Sequence, residues 1–243
     1  MSIIYEPKGR AREYSALAAN LYRGCSHGCR YCYVPTITYQ TPEEFHSNPT
    51  PRTNILEQLK KDTTKFTGRG PVLLCFTCDP YQPIEERYGI TRAAIQILHS
   101  ADIPVTILTK GGRRAERDFS LLGPRDSVGA SLTFINKHDS LEWEPYAALP
   151  QERIDMLKHA KEQGLRTWAS IEPVIDPEQS LALIRETAQF VDIFKVGKLN
   201  HHPLAEKIDW RDFGLKAVKL LRELNKPFYI KRDLRAYLTN QVP

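Results

Sequence analysis

The sequence contains no apolar run approaching the ~18 residues that a membrane-spanning helix requires. The opening stretch, Met1-Ser2-Ile3-Ile4-Tyr5-Glu6-Pro7-Lys8, has no apolar segment of the kind an export signal needs, so a cytoplasmic, reducing setting and no membrane partner are expected. That setting argues against disulfides. No internal repeat, low-complexity tract or Pro/Gly/Ser-rich linker breaks the chain, and residues 1–243 read as one domain. Neither sign of charge dominates: 34 basic and 29 acidic residues give a net charge of +5. This mild basicity permits an anionic partner such as nucleic acid without requiring one. With 41% hydrophobic and 26% charged residues, the composition is that of an ordinary globular protein.

Cysteine is also scarce, five in all, which makes its distribution informative. Cys25, Cys29 and Cys32 fall within eight residues, spaced C-x3-C-x2-C, with Tyr31 just before the third. Thiolates are the ligands of iron–sulfur clusters, and a [4Fe–4S] cube normally takes four of them. Three ligands leave one iron open to coordinate something else. The same residues allow two alternatives. A structural zinc site can draw on the Cys29/Cys32 pair with His27, although neighbouring ligands on one tight loop suit tetrahedral closure poorly. Disulfides are the second, subject to the compartment.

Elsewhere, short apolar runs alternate with longer amphipathic ones, the signature of βα units and a parallel sheet. Strands are expected over 18–22, 72–77, 105–109, 127–134, 166–171 and 191–196. Helices are expected over about 53–66, 91–101, 113–122, 151–163, 178–189 and 211–225, and Pro227 to Ile230 offers one more short strand. Six such units curl into a partial barrel, whereas a full eightfold barrel needs more chain. Residues 35–51 read as the longest irregular stretch, covering the cysteine loop. In parallel α/β folds, functional loops sit at the C-terminal strand ends. The cysteine loop, Thr77-Cys78-Asp79, Lys110-Gly111-Gly112, Ser131 and Glu172 all fall there, so one rim is expected to gather them.

The C-x3-C-x2-C motif with its internal aromatic, after the first strand of a (βα)6 pattern, resembles the radical S-adenosylmethionine (SAM) superfamily. Further blocks resemble its spore photoproduct lyase-like branch: Arg23 to Tyr33, Thr77 to Glu85, Leu108-Thr109-Lys110, Arg117-Asp118, Ala130 to Thr133, Glu144-Pro145 and Arg153. These run in family order from about residue 18 to 175, the C-terminal third being left to complete the barrel. The resemblance implies a partial (βα)6 TIM-like barrel, a [4Fe–4S] cluster, bound SAM, and an electron donor of flavodoxin or ferredoxin type. It further implies that Cys25, Cys29 and Cys32 ligate the cluster and Tyr31 lies against the adenine. Thr77 and Cys78 would approach the SAM amino group, Lys110 would pair with its carboxylate, and Ser131 would bond a ribose hydroxyl. The reaction implied is reductive SAM cleavage to a 5′-deoxyadenosyl radical, which takes hydrogen from a substrate. A nucleotide or nucleic acid is the first candidate for that substrate.

The chain departs from spore photoproduct lyase at the hydrogen-donating cysteine that directly precedes the Thr-x-Asp block, where it carries Phe76. Cys75 and Cys78 flank that position. Cys75 reads as a small buried residue, and Cys78 as a candidate catalytic hydrogen donor. Asp79, Glu144 and Glu172 read as rim carboxylates that either meet a ligand or serve as caps and ion-pair partners. The basic groups Lys110 to Arg117 and Lys231-Arg232 with Arg235 read mostly as solvated faces, only the first within reach of a substrate. His201-His202 reads as a solvated loop rather than a metal pair.

Overall fold

A computed structural model describes residues 2–238. In chain order its strands are β1 (Ile4–Tyr5), β2 (Leu17–Ala19), β3 (Tyr22–Arg23), β4 (Thr50–Pro51) and β5 (Val72–Leu74). They continue with β6 (Val105–Thr109), β7 (Ser127–Ser131), β8 (Arg166–Ile171), β9 (Ile193–Val196) and β10 (Phe228–Ile230). The helices are α1 (Val34–Ile37), α2 (Pro42–Ser47), α3 (Ile55–Phe66), α4 (Glu85–Tyr88) and α5 (Ile90–Ser100). After these come α6 (Lys137–Trp143), α7 (Pro150–Glu162), α8 (Pro177–Thr187), α9 (Trp210–Glu223) and α10 (Arg232–Arg235).

Eight strands form one sheet in the order β1-β2-β5-β6-β7-β8-β9-β10; only β1 runs antiparallel to its neighbour. The all-parallel stretch from β2 to β10 is the α/β partial-barrel architecture expected from the alternating pattern. Its strands are short and almost continuously buried, as they must be when helices cover the outer face and the barrel closes on the inner one. The tail strand forms as β10 and adds a seventh parallel strand. Helix starts follow local chemistry. Asp176 accepts a hydrogen bond from the Gln179 amide at 3.0 Å with Pro177 at the first helical position, and Thr41 and Glu44 form a capping box on α2.

Five local expectations change, one being the fourth strand, expected over 127–134, which ends at Ser131. The first strand, expected over 18–22, splits: Leu17–Ala19 joins the main sheet, while Tyr22–Arg23 turns away to pair with Thr50–Pro51. The second ends at Leu74 rather than Thr77, because the Asn20 side chain takes the amides of Phe76 and Thr77 at 2.7 and 2.8 Å and replaces the sheet partner. The helix expected over 113–122 is a 3-10 helix, Gly112–Leu121. Residues 35–51 are not irregular but hold α1, α2 and β4; the segment does cover the cysteine loop.

The barrel is plugged below its rim by a small cluster of Ala18, Leu73 and Trp168, with Tyr5, Tyr14, Phe76 and Leu108 packed against it. A 3-10 turn, Gly9–Glu13, and Tyr14 lie across the gap between the sheet's two edges. Glu13 accepts from the Tyr229 hydroxyl at 2.9 Å and from the Arg232 amide at 2.7 Å, while Lys195 donates to the carbonyls of Glu13 and Tyr14 at 2.9 and 2.8 Å. This strap is therefore tied to the strands at the far edge. Burial and the repulsion of Lys231 lower the Lys195 ammonium to about 8.

Candidate active site

Above that plug lies a cavity of about 740 Å³, within the range of small-molecule and cofactor sites. Its lining includes every residue singled out for a site role: Cys25, Cys29, Cys32, Tyr31, Thr77, Cys78, Lys110 and Ser131. Strand register explains the convergence. Leu74, Thr109, Ser131, Ile171 and Val196 end adjacent parallel strands, so the loops that follow open on one side.

The cysteine loop is clamped from two sides. The Cys25 amide donates to the Phe45 carbonyl at 3.3 Å, and His46 Nδ1 donates to the Cys25 carbonyl at 2.6 Å. On the other side the Arg30 amide donates to the Trp143 carbonyl at 2.9 Å and the Tyr146 amide to the His27 carbonyl at 3.2 Å. Gly24 is required where the loop starts: its φ is +77°, and a Cβ there meets the Phe45 carbonyl oxygen at 2.6 Å. Buried Gln82 braces the loop from inside, accepting from the Ser26 amide at 3.0 Å and donating to the Gly24 carbonyl at 3.3 Å.

All three thiols are free, and burial raises each above the ordinary thiol value, Cys29 to about 12. They therefore stand as neutral thiols that a metal must deprotonate on binding. Among the described residues, no group of three or more His, Cys, Asp or Glu converges as a single metal ion demands. A cube, by contrast, takes one thiolate per iron at separate corners, so the donor set fits a cluster.

Two of the expected rim carboxylates turn inward. Asp79 accepts from the amides of Tyr81 and Lys110 at 2.8 and 2.6 Å and from Thr109 Oγ1 at 2.6 Å, and it pairs with His27, whose Nε2 lies 3.1 Å away. Burial alone works to raise its carboxyl, but His27 and these donors hold it well below the usual range. His27 Nδ1 faces the Tyr146 carbonyl at 3.2 Å. Asp79 thus staples the cysteine loop to the strand end that carries Lys110.

Glu144 is 1% exposed and pairs with Arg153, also 1% exposed, at 2.6 Å; it also accepts from the Tyr31 hydroxyl. Despite burial, Arg153 keeps its carboxyl below the usual value. Arg153 further donates to the carbonyls of Ala148 at 2.7 Å and Ser131 at 3.1 Å, and the Ala148 amide donates to the Lys110 carbonyl at 2.9 Å. One buried pair thereby positions Tyr31, Ser131 and Lys110 together. Lys110 Nζ lies 5.6 Å from the Tyr31 ring centroid.

Other readings are corrected by the cavity wall. Of the first basic group only Lys110 reaches it: Arg113 pairs with Asp155 at 3.0 Å, Arg114 donates to the Tyr81 carbonyl at 2.8 Å, and Arg117 pairs with Glu85. Lys231, read as a solvated face, is buried, lines the cavity, and pairs with Glu172, which also accepts from the Tyr14 hydroxyl. Gly197 leaves room for that carboxylate, since a Cβ there meets it at 2.5 Å. Cys75 is buried as expected; Cys78 is buried too, yet both line the cavity. His201 is exposed and lines the cavity mouth, whereas His202 packs on Trp143. Tyr14, the strap and Lys231 escaped the sequence reading entirely as site residues, because they lie in no motif and meet only in space.

The fold and site define an α/β partial barrel with a three-cysteine loop over a cofactor-sized cavity. Residues 19–191, more than half of the chain, match the Radical SAM superfamily, and the chain belongs to it. An uncharacterised protein of Methanocaldococcus jannaschii is 29% identical over 187 residues, 74% of this chain and 69% of its own length. An uncharacterised protein of Mycobacterium tuberculosis is 30% identical over 166 residues, 64% of this chain; this match spans about half, 48%, of the mycobacterial protein. Among solved structures, a spore photoproduct lyase mutant with bound AdoMet and dinucleoside spore photoproduct superposes at TM-score 0.73, with 12% identity, over 93% of this chain and 78% of that one. Streptococcus suis SuiB bound to S-adenosylmethionine gives 0.67, with 15% identity, over 88% and 49%. These likenesses establish the shared fold. Membership in the superfamily implies an enzyme, and no helix among the described residues is long and apolar enough to cross a membrane.

Proposed function

We propose that this chain is a cytoplasmic radical SAM enzyme, a single core domain whose cavity takes a [4Fe–4S] cluster and SAM side by side. The observation that carries this reading is that all three cysteines and all five proposed SAM contacts line one cavity. Bound together, the cluster and SAM supply a 5′-deoxyadenosyl radical, and the protein's part is to bind, orient and insulate. Cys25, Cys29 and Cys32 are the cluster ligands, leaving one iron for SAM. Tyr31, braced by Glu144, offers its ring to the adenine. Lys110, held at its backbone by Asp79 and Ala148, presents a point charge to the SAM carboxylate. Thr77 and Cys78 face the amino group, and Ser131 a ribose hydroxyl. An external flavodoxin- or ferredoxin-type donor supplies the electron.

Cys78 is the hydrogen-atom donor to the substrate radical in this reading, since Phe76 occupies the position used by spore photoproduct lyase. The difference at that position favours a substrate other than the thymine lesion. Anaerobic reconstitution tests the proposal: about four irons per chain and dithionite-dependent release of 5′-deoxyadenosine are expected. Zinc as the sole tightly bound metal, without SAM cleavage, overturns it.

A further inference from the structure

Arg232, Arg235 and the arginines of the strap have no role in the proposed cofactor binding, yet the fold brings them together. Arg10, Arg12, Arg232 and Arg235 line a second depression, with Glu13 and Asp233 as its acids. Both acids are engaged: Glu13 anchors the strap to Tyr229 and the Arg232 amide, and Asp233 pairs with Arg10. The arginines are less fully matched. Among the described residues Arg12 reaches only Glu6, at 3.5 Å between two half-exposed side chains, a contact of little strength. Arg235 lies 5.3 Å from the Tyr229 ring centroid, and its Nε is buried without a hydrogen-bond partner among the described residues. A buried guanidinium N–H without an acceptor is costly to leave unmade, and it marks a place for one.

Arg10 lines this depression and also the main cavity, where Lys8, Lys198 and His201 continue the basic mouth. Guanidinium forks match the oxygens of phosphate and bind it through paired, charge-assisted hydrogen bonds. We infer that the depression holds a phosphate group of the substrate, while the reacting part of that molecule passes Arg10 into the cavity. The assignment of the bound molecule as substrate rests on the radical SAM reading; the phosphate site itself does not. A phosphorylated small molecule and a nucleic-acid strand present the same group.

The test uses the reconstituted full chain and two probes, inorganic phosphate and a short fluorescein-labelled oligothymidylate followed by anisotropy. Arg12→Ala with Arg232→Ala removes two exposed side chains, so folding is not at stake. Binding of the probe is expected to weaken about tenfold or more, and the slope of log affinity against log salt to shrink by about one for each phosphate no longer neutralised. Arg235→Lys keeps the charge but loses the fork, and a partial loss is expected. Oligonucleotide binding about a hundredfold tighter than phosphate, with a steep salt slope, assigns the phosphate to a strand. Equal affinities, with phosphate displacing the oligonucleotide, assign it to a small molecule. Unchanged affinity in both variants, or no binding of either probe by the wild-type chain, overturns the inference. Because binding is read without SAM cleavage, a wild-type chain that binds phosphate but cleaves no SAM refutes only the radical reading.

Discussion

The two walls of the cavity are built differently. One wall, the cysteine loop with the strand ends that carry Thr77, Cys78, Lys110 and Ser131, lies inside the residues that match the superfamily, 19–191. Much of the other comes from outside that span: Tyr5, Lys8, Arg10 and Tyr14 before it, and Lys198, His201 and Lys231 after it. The first is stapled by the clamps on the cysteine loop and by two buried carboxylates, Asp79 with its donors and Glu144 paired with Arg153. The second depends on contacts between the two ends of the described chain. We propose that the first wall serves the cofactors and that the second meets the substrate.

The sharpest way to break this division is at the cysteines. Cys25→Ala, Cys29→Ala or Cys32→Ala should each abolish cluster uptake and SAM cleavage, read from iron content and 5′-deoxyadenosine release. An active variant removes that residue as a ligand. Next in size is Arg153→Met, which leaves Glu144 buried without its counter-charge. Unfolding in urea should show a loss of about 3–5 kcal/mol, and a near-neutral result means that Glu144 takes up a proton instead.

Acid should act on the same wall. The carboxyls of Asp79 and Glu144 lie below their ordinary values of 3.8 and 4.5 in the folded protein. Depressed carboxyls contribute stability that is fully present above those ordinary values and is lost as pH falls through the folded ones. The urea midpoint should therefore hold steady from neutrality to about pH 5 and decline below about pH 4. Asp79→Asn should flatten that decline, and an unaltered acid limb assigns it elsewhere.

On the other wall, Glu13→Ala removes the strap's anchor to Tyr229 and the Arg232 amide. A loss of about 1–2 kcal/mol is expected, with cluster content and SAM cleavage retained. Loss of the cluster in this variant means that the two walls are not separable. The smallest expected effect is that of Cys78→Ala, which should leave the cluster and SAM cleavage in place and alter only the product. An identical product profile removes Cys78 as hydrogen donor.

What was legible in the sequence follows the same division. The parallel α/β pattern showed because the strands are short, mostly apolar runs set apart from helices with a polar face, and the cysteine loop showed because its three cysteines are neighbours in sequence. Thr77, Lys110 and Ser131 were placed by the rule that strand ends share a rim. The burial of Arg153 was not legible, since an arginine in the first turn of α7 has the same local pattern whether it points to water or to Glu144. Lys231 meets Glu172 across 59 residues, and no periodicity encodes such a pair. The 3-10 turn of the strap has no apolar stripe, and the amides after Leu74 left the sheet only because Asn20 competes for them. Side-chain competition of that kind is invisible to a pattern of apolar residues.

The anchoring of the strap bears on how the molecule comes into being. Glu13 reaches Tyr229 across 216 positions and Arg232 across 219. Closing so large a loop is entropically demanding, and contacts this distant tend to form after local ones. Glu13 thus lacks these two partners until β10 and α10 exist. The barrel rim and the cysteine loop can take shape beforehand, through the order β2-β5-β6-β7-β8-β9 laid down along the chain. The cavity would then stand open on one flank during synthesis until β10 and α10 bring the strap across it.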